Sequence, residues 1–584
     1  MTRDPANSMK RELPPEMLRK DIRAWWSRIV SGHIQHRAEM DHQTGSLRCH
    51  RPGNSASTFH LLLPFVLMMA AAATIRWSVI RNDLWLDEVW SMHLASEADS
   101  PWAIFTSIHH DNNHHLCTLW LRLIGEQADP IWCRLPSLIA GVLGVVLIGI
   151  LTWPAGRLAA ICAMSLASTS TLLVQYSTEA RGYSLALMFA LAAHWTLRRY
   201  LGASALDSDS DANTHAPANN VSNRSHVASH LGRSATPTGS RALPLLFGVL
   251  CLLGAASHLT FLQYYFAAVY WSTAVVRSRH SNLLETTVSL LKLHWGALSG
   301  LGMLYFLDVR HLHFGGGPQL DAVRVLWNAV SVFLGGPLND SVFKAIYLCL
   351  MLGGVSMGLW QISRQRGQEW KFFACLFLLF IVCRVFLFPA SMLFERYFVV
   401  ILGFTCIPLG IALEKLLTGR GIHLIAGIAA LWLIFIGNID HVHILRERGR
   451  GQYQPAIQLL TADAEELVSV SSDHPFRNRL LIEHYARAIG KEDQIQYQDL
   501  GDWHTPPDWM ICHQVPRDTD APVHWLDKFG NGRSRIRVCG FEYRLEAHYR
   551  AGELSGCDWL CYRLTNHPSD QLTVRSGREE LSQR

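Results

Sequence analysis

Apolar residues fall into blocks of about 17 to 25, the length that carries a helix across a bilayer. The blocks lie near residues 58–80, 132–152, 158–174, 183–199, 243–258, 260–276, 288–306, 341–360, 372–388, 398–415 and 421–438. They predict an all-α polytopic membrane protein of about eleven transmembrane helices. Between Asp321 and Leu334 the block is too short to span, and Val325, Asn328, Ala329 and Val332 share one helical face, which predicts a helix lying at the interface. Beyond Asp440 the apolar spacing weakens. Short aromatic-rich runs, from Glu466 to Ser472 and from Asp558 to Leu564, flank a helical Arg477–Ile489 pattern and predict a small α/β domain. The expected organisation is an N-terminal arm (1–57), a transmembrane domain (58–438) and a C-terminal domain (439–584). A Ser/Asn/Asp/His-rich insertion at 203–241 has too few apolar residues to bury a core and is expected to be disordered.

Charge gives the segments a direction. Arg198 and Arg199, Arg277 and Arg279, Arg364, Arg366 and Lys371, and Lys415 and Arg420 fall in alternate loops. Together with the basic N-terminal arm they place these loops in the cytoplasm. An odd number of spans then puts the C-terminal domain on the outer face, periplasmic if the membrane is a bacterial inner membrane. The arm lacks an apolar core followed by a small-residue cleavage site, so the first span is expected to stay uncleaved. The sequons at Asn220 and Asn223 lie in the insertion, on the predicted inner side.

The composition, 49% hydrophobic against 17% charged residues, fits burial in lipid. A mean hydropathy of only +0.12 reflects dilution by the arm, the insertion and the tail. Thirteen cysteines show no metal-ligand spacing; Cys512, Cys539, Cys557 and Cys561 cluster in the tail, where two disulfides would suit an oxidising compartment. No nucleic-acid partner and no cofactor are expected.

The chemistry-bearing residues collect on the predicted outer face. Asp87 and Glu88 in Trp85-Leu-Asp-Glu-Val-Trp90 follow directly on the first span. His109, His110, His114 and His115 come later in that loop, and Arg134-Leu-Pro-Ser opens the second span. Glu179-Ala-Arg-Gly-Tyr183 precedes the fourth span, His258 ends another, and Phe394-Glu-Arg-Tyr397 precedes a late one. Carboxylates at a membrane rim lose hydration, so they are kept mainly where they meet an ion, a substrate or a proton. The pattern makes Asp87 a candidate base with Glu88 in support. His114, Arg134, Glu179, Arg181, Tyr183, His258, Arg396 and Tyr397 are candidate substrate-binding residues. Glu179 is read as touching the sugar or holding Arg134. A metal site is not expected, although Asp87, Glu88, Asp111 and the loop histidines are the groups that would hold a divalent ion. His311, His313 and Gly315–Gly317 form a predicted flexible outer loop.

This order of motifs resembles the multispan glycosyltransferases of the GT-C type, in particular bacterial relatives of the protein O-mannosyltransferases and of the aminoarabinose transferase that modifies lipid A. The resemblance covers roughly 58–438. It rests on the Asp-Glu pair, the Arg-Leu-Pro-Ser start of the second span, Tyr-Ser-x-Glu-Ala-Arg-x-Tyr before the fourth, and Glu-Arg-Tyr late in the chain. It departs at Asn113-His114-His115-Leu116, where relatives commonly carry prolines after the histidine. The resemblance implies a polyprenyl-phosphate sugar donor, an acceptor that is lipid, glycan or protein, and an inverting displacement on the outer face. Arg181 and Arg396 would meet the departing phosphate. A lipid-linked-sugar flippase or transporter would instead place ionisable groups within the spans, where Arg384 is an exception to their scarcity. A non-catalytic assembly factor would leave the Asp-Glu pair and Glu179-Ala-Arg181 without a role.

Overall fold

The computed structural model describes residues 55–214, 242–313, 315, 321–339, 341–382, 393–462, 467–501, 503, 505–514, 534–552, 554 and 556–565. Contacts divide the chain after Leu62, and the account below concerns Leu63 onward apart from the opening turns of the first helix.

Seventeen α-helices precede the first strand among the described residues: α1 (Ser55–Trp77), α2 (Leu86–Glu97), α3 (Ala103–Thr106), α4 (His115–Ile124), α5 (Pro130–Thr152), α6 (Arg157–Thr169), α7 (Thr171–Tyr176), α8 (Tyr183–Thr214), α9 (Ala242–Ser257), α10 (Phe261–Arg277), α11 (Leu283–Leu307), α12 (Ala322–Phe333), α13 (Ser341–Gln365), α14 (Trp370–Val382), α15 (Val399–Leu417), α16 (Ile422–Arg448) and α17 (Tyr453–Leu460). Among the described residues each apolar block falls on helix, the block at 158–174 being divided between α6 and α7 and the block at 372–388 being described only to Val382. Five helical stretches, Pro130–Ala155, Leu283–His311, Val342–Gln365, Glu395–Leu417 and Ile422–Leu460, are long and apolar enough to cross a membrane. The protein is therefore an integral membrane protein, and the count of eleven crossings is a reading of the sequence alone.

The core runs through α5, α6, α8, α9, α10 and α15. Helix α15 is enclosed on almost all sides, which its unbroken apolar run permits. It approaches α6 closely because a Cβ on Gly410 would stand 2.6 Å from Ala163 Cβ; small residues let backbones come together where lipid gives no hydrophobic drive. Helices α11, α13 and α16 instead expose large apolar side chains, among them Trp295, Phe343 and Trp432, as lipid-facing helices do. The predicted interfacial helix is α12, and Val325, Asn328, Ala329 and Val332 are its buried side. Helix α8 continues past the expected start of the insertion to Thr214, through Ala203 and Leu206, both good helix formers. Residues 215–241 and Arg384 lie outside the described residues. So do Phe314, Gly316 and Gly317; of the predicted outer loop, His313 pairs with the His110 strand segment as an isolated bridge.

The C-terminal region carries β1 (Val468–Ser472), α18 (Pro475–Ala488), β2 (Ile495–Tyr497), β3 (Trp509–Gln514), β4 (Arg535–Val538), β5 (Phe541–Tyr549) and β6 (Asp558–Leu564). The sheet order is β2-β1-β3-β6-β5-β4. β1 is parallel to β2 and β3, which α18 makes possible as the crossover, and the remaining pairs are antiparallel. The expected disulfides are not formed: Cys512, Cys539, Cys557 and Cys561 are free. Cys512 and Cys561 lie on neighbouring strands but are not paired in register (Cys512 stands opposite Leu560), and they pack into different apolar clusters on opposite faces of the sheet. Cys557 lies against the Arg477 guanidinium.

Candidate active site

The two adjacent carboxylates have separate duties because successive residues of a helix point about 100° apart. Glu88, at the third position of α2, is fully buried. Its Oε2 accepts the Trp85 backbone N–H at 3.1 Å, half of a capping box that starts the helix. The same carboxylate takes a bidentate pair of bonds from Arg134, 2.8 Å from Nε and 2.6 Å from Nη2, and accepts the Ala180 backbone N–H at 2.6 Å. Arg134 spends its other donors on the carbonyls of Ile80, Asn82 and Asp83. Both groups are saturated. Glu88 and Arg134 thus form a clamp joining the ends of α1, α2 and α5 to the loop after α7, and neither is left to bind substrate. The alternative that Glu179 holds Arg134 is corrected by the same geometry.

Asp87 faces the other way and keeps part of its surface open. Its Oδ2 lies 3.0 Å from Arg396 Nη1 and 3.4 Å from Arg181 Nη1. Two guanidinium groups therefore share one carboxylate. Burial opposes the charge on Asp87, but the cations Arg181, Arg396, Arg450 and Arg477 outweigh it and hold the carboxyl below its ordinary range. Asn112 fixes the pair: its amide donates to the Asp87 carbonyl at 2.8 Å and to Ser91 Oγ at 2.9 Å, while its Oδ1 accepts from Arg181.

Around this centre lie most of the other residues expected from the sequence. Tyr183 lies beneath Arg181, with the guanidinium carbon 5.7 Å from the ring centre. Tyr397 stands at the same distance from Arg396. The His258 ring is 4.2 Å from Tyr183 and 4.5 Å from His114. His258 Nδ1 is occupied by its own turn, accepting the Thr260 N–H at 3.0 Å. His114 Nδ1 accepts the Gly182 N–H at 2.9 Å, which leaves Nε2 as the protonated nitrogen, without a partner among the described residues. Burial, and then Arg181 and His258, push His114 well below its usual range, so it is a neutral donor at pH 7. Gly182 is indispensable to this contact. A Cβ there would lie 1.8 Å from the Ser257 carbonyl oxygen and 3.3 Å from His114 Cβ. Gly182→Ala is expected to push the loop off α9 and destabilise the protein by about 1–3 kcal/mol, with loss of activity, measurable as a lower Tm alongside the rate.

Glu179 pairs with Arg450, a residue that the sequence reading missed. Burial drives the Glu179 carboxyl upward in proton affinity, against the pull of Arg450. Arg450 sits in Gly449-Arg450-Gly451 just beyond α16, where Gly449 takes a left-handed turn (φ 57°) that ends the helix. An arginine between two glycines directly after a long apolar helix is the signal that would have found it. A second such group is Asp308 at the end of α11, 2.7 Å from His109 Nδ1 and 2.9 Å from His115 Nε2, tying the first outer loop to that helix. The four loop histidines are thereby dispersed: His109 and His115 go to Asp308, His110 to Asp111 and His114 to the site. Among the described residues no group of three or more His, Cys, Asp or Glu is placed to hold a metal ion.

No family model matches the chain. No curated protein matches it either. Solved structures that it is similar to include the oligosaccharyltransferase of Archaeoglobus fulgidus in the apo form (11% identity, TM-score 0.46, 76% of this chain and 65% of that one). They also include ArnT from Cupriavidus metallidurans, both apo (10% identity, TM-score 0.45, 87% and 98%) and bound to undecaprenyl phosphate (12% identity, TM-score 0.39, 86% and 98%). The chain thus spans less than two thirds of the length of the archaeal protein. A likeness this distant decides nothing about family or chemistry, and both have to be argued from this chain's own residues.

Proposed function

We propose that this protein is a membrane glycosyltransferase that moves a sugar from a polyprenyl-phosphate-linked donor to an acceptor hydroxyl on the outer face. The observation that carries the reading is the sharing of Asp87 by Arg181 and Arg396. One guanidinium charge is left uncompensated in a mostly buried site, and the Nε atoms of both arginines have no partner among the described residues. A phosphate monoester or diester anion supplies what is missing.

In the reaction, the acceptor oxygen forms a bond to the anomeric carbon as the bond from that carbon to the phosphate oxygen breaks, inverting the centre. The bonding pair leaves with the phosphate, whose growing charge is met by Arg181, Arg396 and the Nε2–H of His114. Asp87 orients the acceptor hydroxyl and takes its proton. The resting ion pairs make Asp87 a weak base; phosphate binding draws the two guanidiniums toward itself and returns basicity to the carboxylate when the acceptor needs it. Metal-independence follows from this reading, because the guanidiniums already provide the cationic charge. The eleven apolar blocks and the basic alternate loops support eleven crossings with the N-terminus cytoplasmic and the C-terminal domain outside, and the family resemblance supports a bacterial inner membrane.

Binding of free polyprenyl phosphate tests the anion site. Arg396→Gln is expected to weaken it about tenfold to a hundredfold, the worth of a charge-assisted hydrogen bond, and a chelator is expected to leave it unchanged. Unaltered affinity in the variant would contradict the assignment. The pH profile provides a second check. Asp87 must be ionised to act, and its proton affinity is lowered in the free protein. Thus kcat/KM should stay flat from neutrality down through the ordinary carboxylate range, while the acid limb of kcat, which reports the donor-bound state, lies at higher pH.

A further inference from the structure

Beside the phosphate-facing arginines lies a second set of buried polar atoms that the mechanism does not use. Arg450 gives Nη1 to Glu179 Oε1, yet its Nε and Nη2 have no partner among the described residues, and neither has Glu179 Oε2. The indole of Trp85 packs flat under this guanidinium, with the carbon 3.3 Å from the ring centre, and its Nε1–H is likewise buried and unpaired. Arg450 and Glu179 are 4% and 2% exposed, which makes each missing hydrogen bond costly. Three donors and one acceptor thus lie on three side chains in mutual contact through Arg450, next to the Asp87 centre that Arg396 joins through the same Trp85 ring.

Resting on the glycosyltransferase reading, we infer that Trp85, Glu179 and Arg450 form the donor-sugar subsite and select a neutral, hydroxyl-bearing sugar over an amino sugar. Each hydroxyl can accept from Arg450 or Trp85 and donate to Glu179 Oε2, so a hydroxylated ring satisfies all four atoms. An ammonium group meets a different field. Glu179 is already matched by Arg450, and the phosphate that carries the sugar compensates the one charge by which Arg181 and Arg396 exceed Asp87, so no anion is left over to pair a cationic sugar. It would also leave unpaired whichever Arg450 or Trp85 donor faces that position, since an ammonium has no lone pair to accept it. Sites built to hydrogen-bond a hydroxyl reject analogues that cannot complete the bonds far more strongly than apolar pockets reject a change of shape.

The native protein in nanodiscs, offered polyprenyl-phosphate mannose, polyprenyl-phosphate glucose and polyprenyl-phosphate 4-amino-4-deoxyarabinose, provides the test. One of the neutral sugars is expected to be turned over with kcat/KM at least about a hundredfold above the amino sugar. Arg450→Gln should lower kcat/KM for that neutral donor by about tenfold to a hundredfold, while its affinity for free polyprenyl phosphate stays within about twofold of native because Arg181 and Arg396 are intact. Preference for the amino sugar would overturn the inference and leave the glycosyltransferase reading standing. So would an Arg450→Gln protein that loses free lipid phosphate as much as donor. Turnover of none of the three donors would overturn both.

Discussion

Asp87→Asn is expected to reduce kcat by about 10²- to 10⁴-fold, the range for loss of a general base, while the protein stays folded and retains its affinity for polyprenyl phosphate. The substitution keeps the size of the side chain and the backbone contacts from Asn112 and Ser91, which go to the Asp87 carbonyl and not to its carboxylate. It removes the negative charge between Arg181 and Arg396. Those guanidiniums then face a neutral amide, so free lipid phosphate should bind as tightly as before or more tightly. A fall in turnover joined to unchanged or improved phosphate binding distinguishes a base from a mere structural acid, whose loss would weaken both. Circular dichroism and a melting curve alongside the kinetics complete the comparison.

The neighbouring carboxylate predicts the opposite phenotype. Glu88→Ala removes the partner of a fully buried arginine and strips acceptors from the Trp85 and Ala180 backbone N–H groups. Breaking a buried ion pair from one side typically costs about 3–5 kcal/mol. The variant should therefore be defective in stability first, with a much lowered Tm and low yield in the membrane, and in activity only as a consequence. A Glu88→Ala protein as stable as the native one would contradict the clamp. The sequence reading sets Asp87 as base with Glu88 in support at the same centre, whereas their order along α2 turns Glu88 to Arg134 and Asp87 to Arg181 and Arg396.

The elements were the most legible part of the chain. Long apolar blocks with few alternatives gave helices at the places expected, and the alternation in Asp558–Leu564 marked β6 to the residue. The seams between distant segments were not legible. Arg450 meets Glu179 across 271 residues, and Asp308 meets His109 across 199; no local periodicity records such a pair. Proximity in sequence also misled where Cys512, Cys539, Cys557 and Cys561 looked ready to bond: all four are free, and strand register and sheet face, which composition does not specify, keep Cys512 and Cys561 apart. Within the candidate site, the charged residues flanking the spans stood out because ionisable groups are rare beside apolar blocks, and the structure brings Asp87, Arg181 and Arg396 together. Which of them pair with one another, and so which remain free for a ligand, emerged only with the geometry. Asn112, uncharged and in a histidine-rich loop, gave no signal, although it holds Asp87 and Arg181 together.

The central claim is that the Asp87 centre transfers a sugar from a lipid phosphate. Single-turnover release of polyprenyl phosphate from extracted polyprenyl-phosphate sugars, followed for the native protein and for folded Asp87→Asn in parallel, measures it most directly. The expected result is rapid release by the native protein that depends on an acceptor and is almost absent in the variant. Equal release by both would remove Asp87 from the chemistry, and no release from any donor by the native protein would contradict the account as a whole.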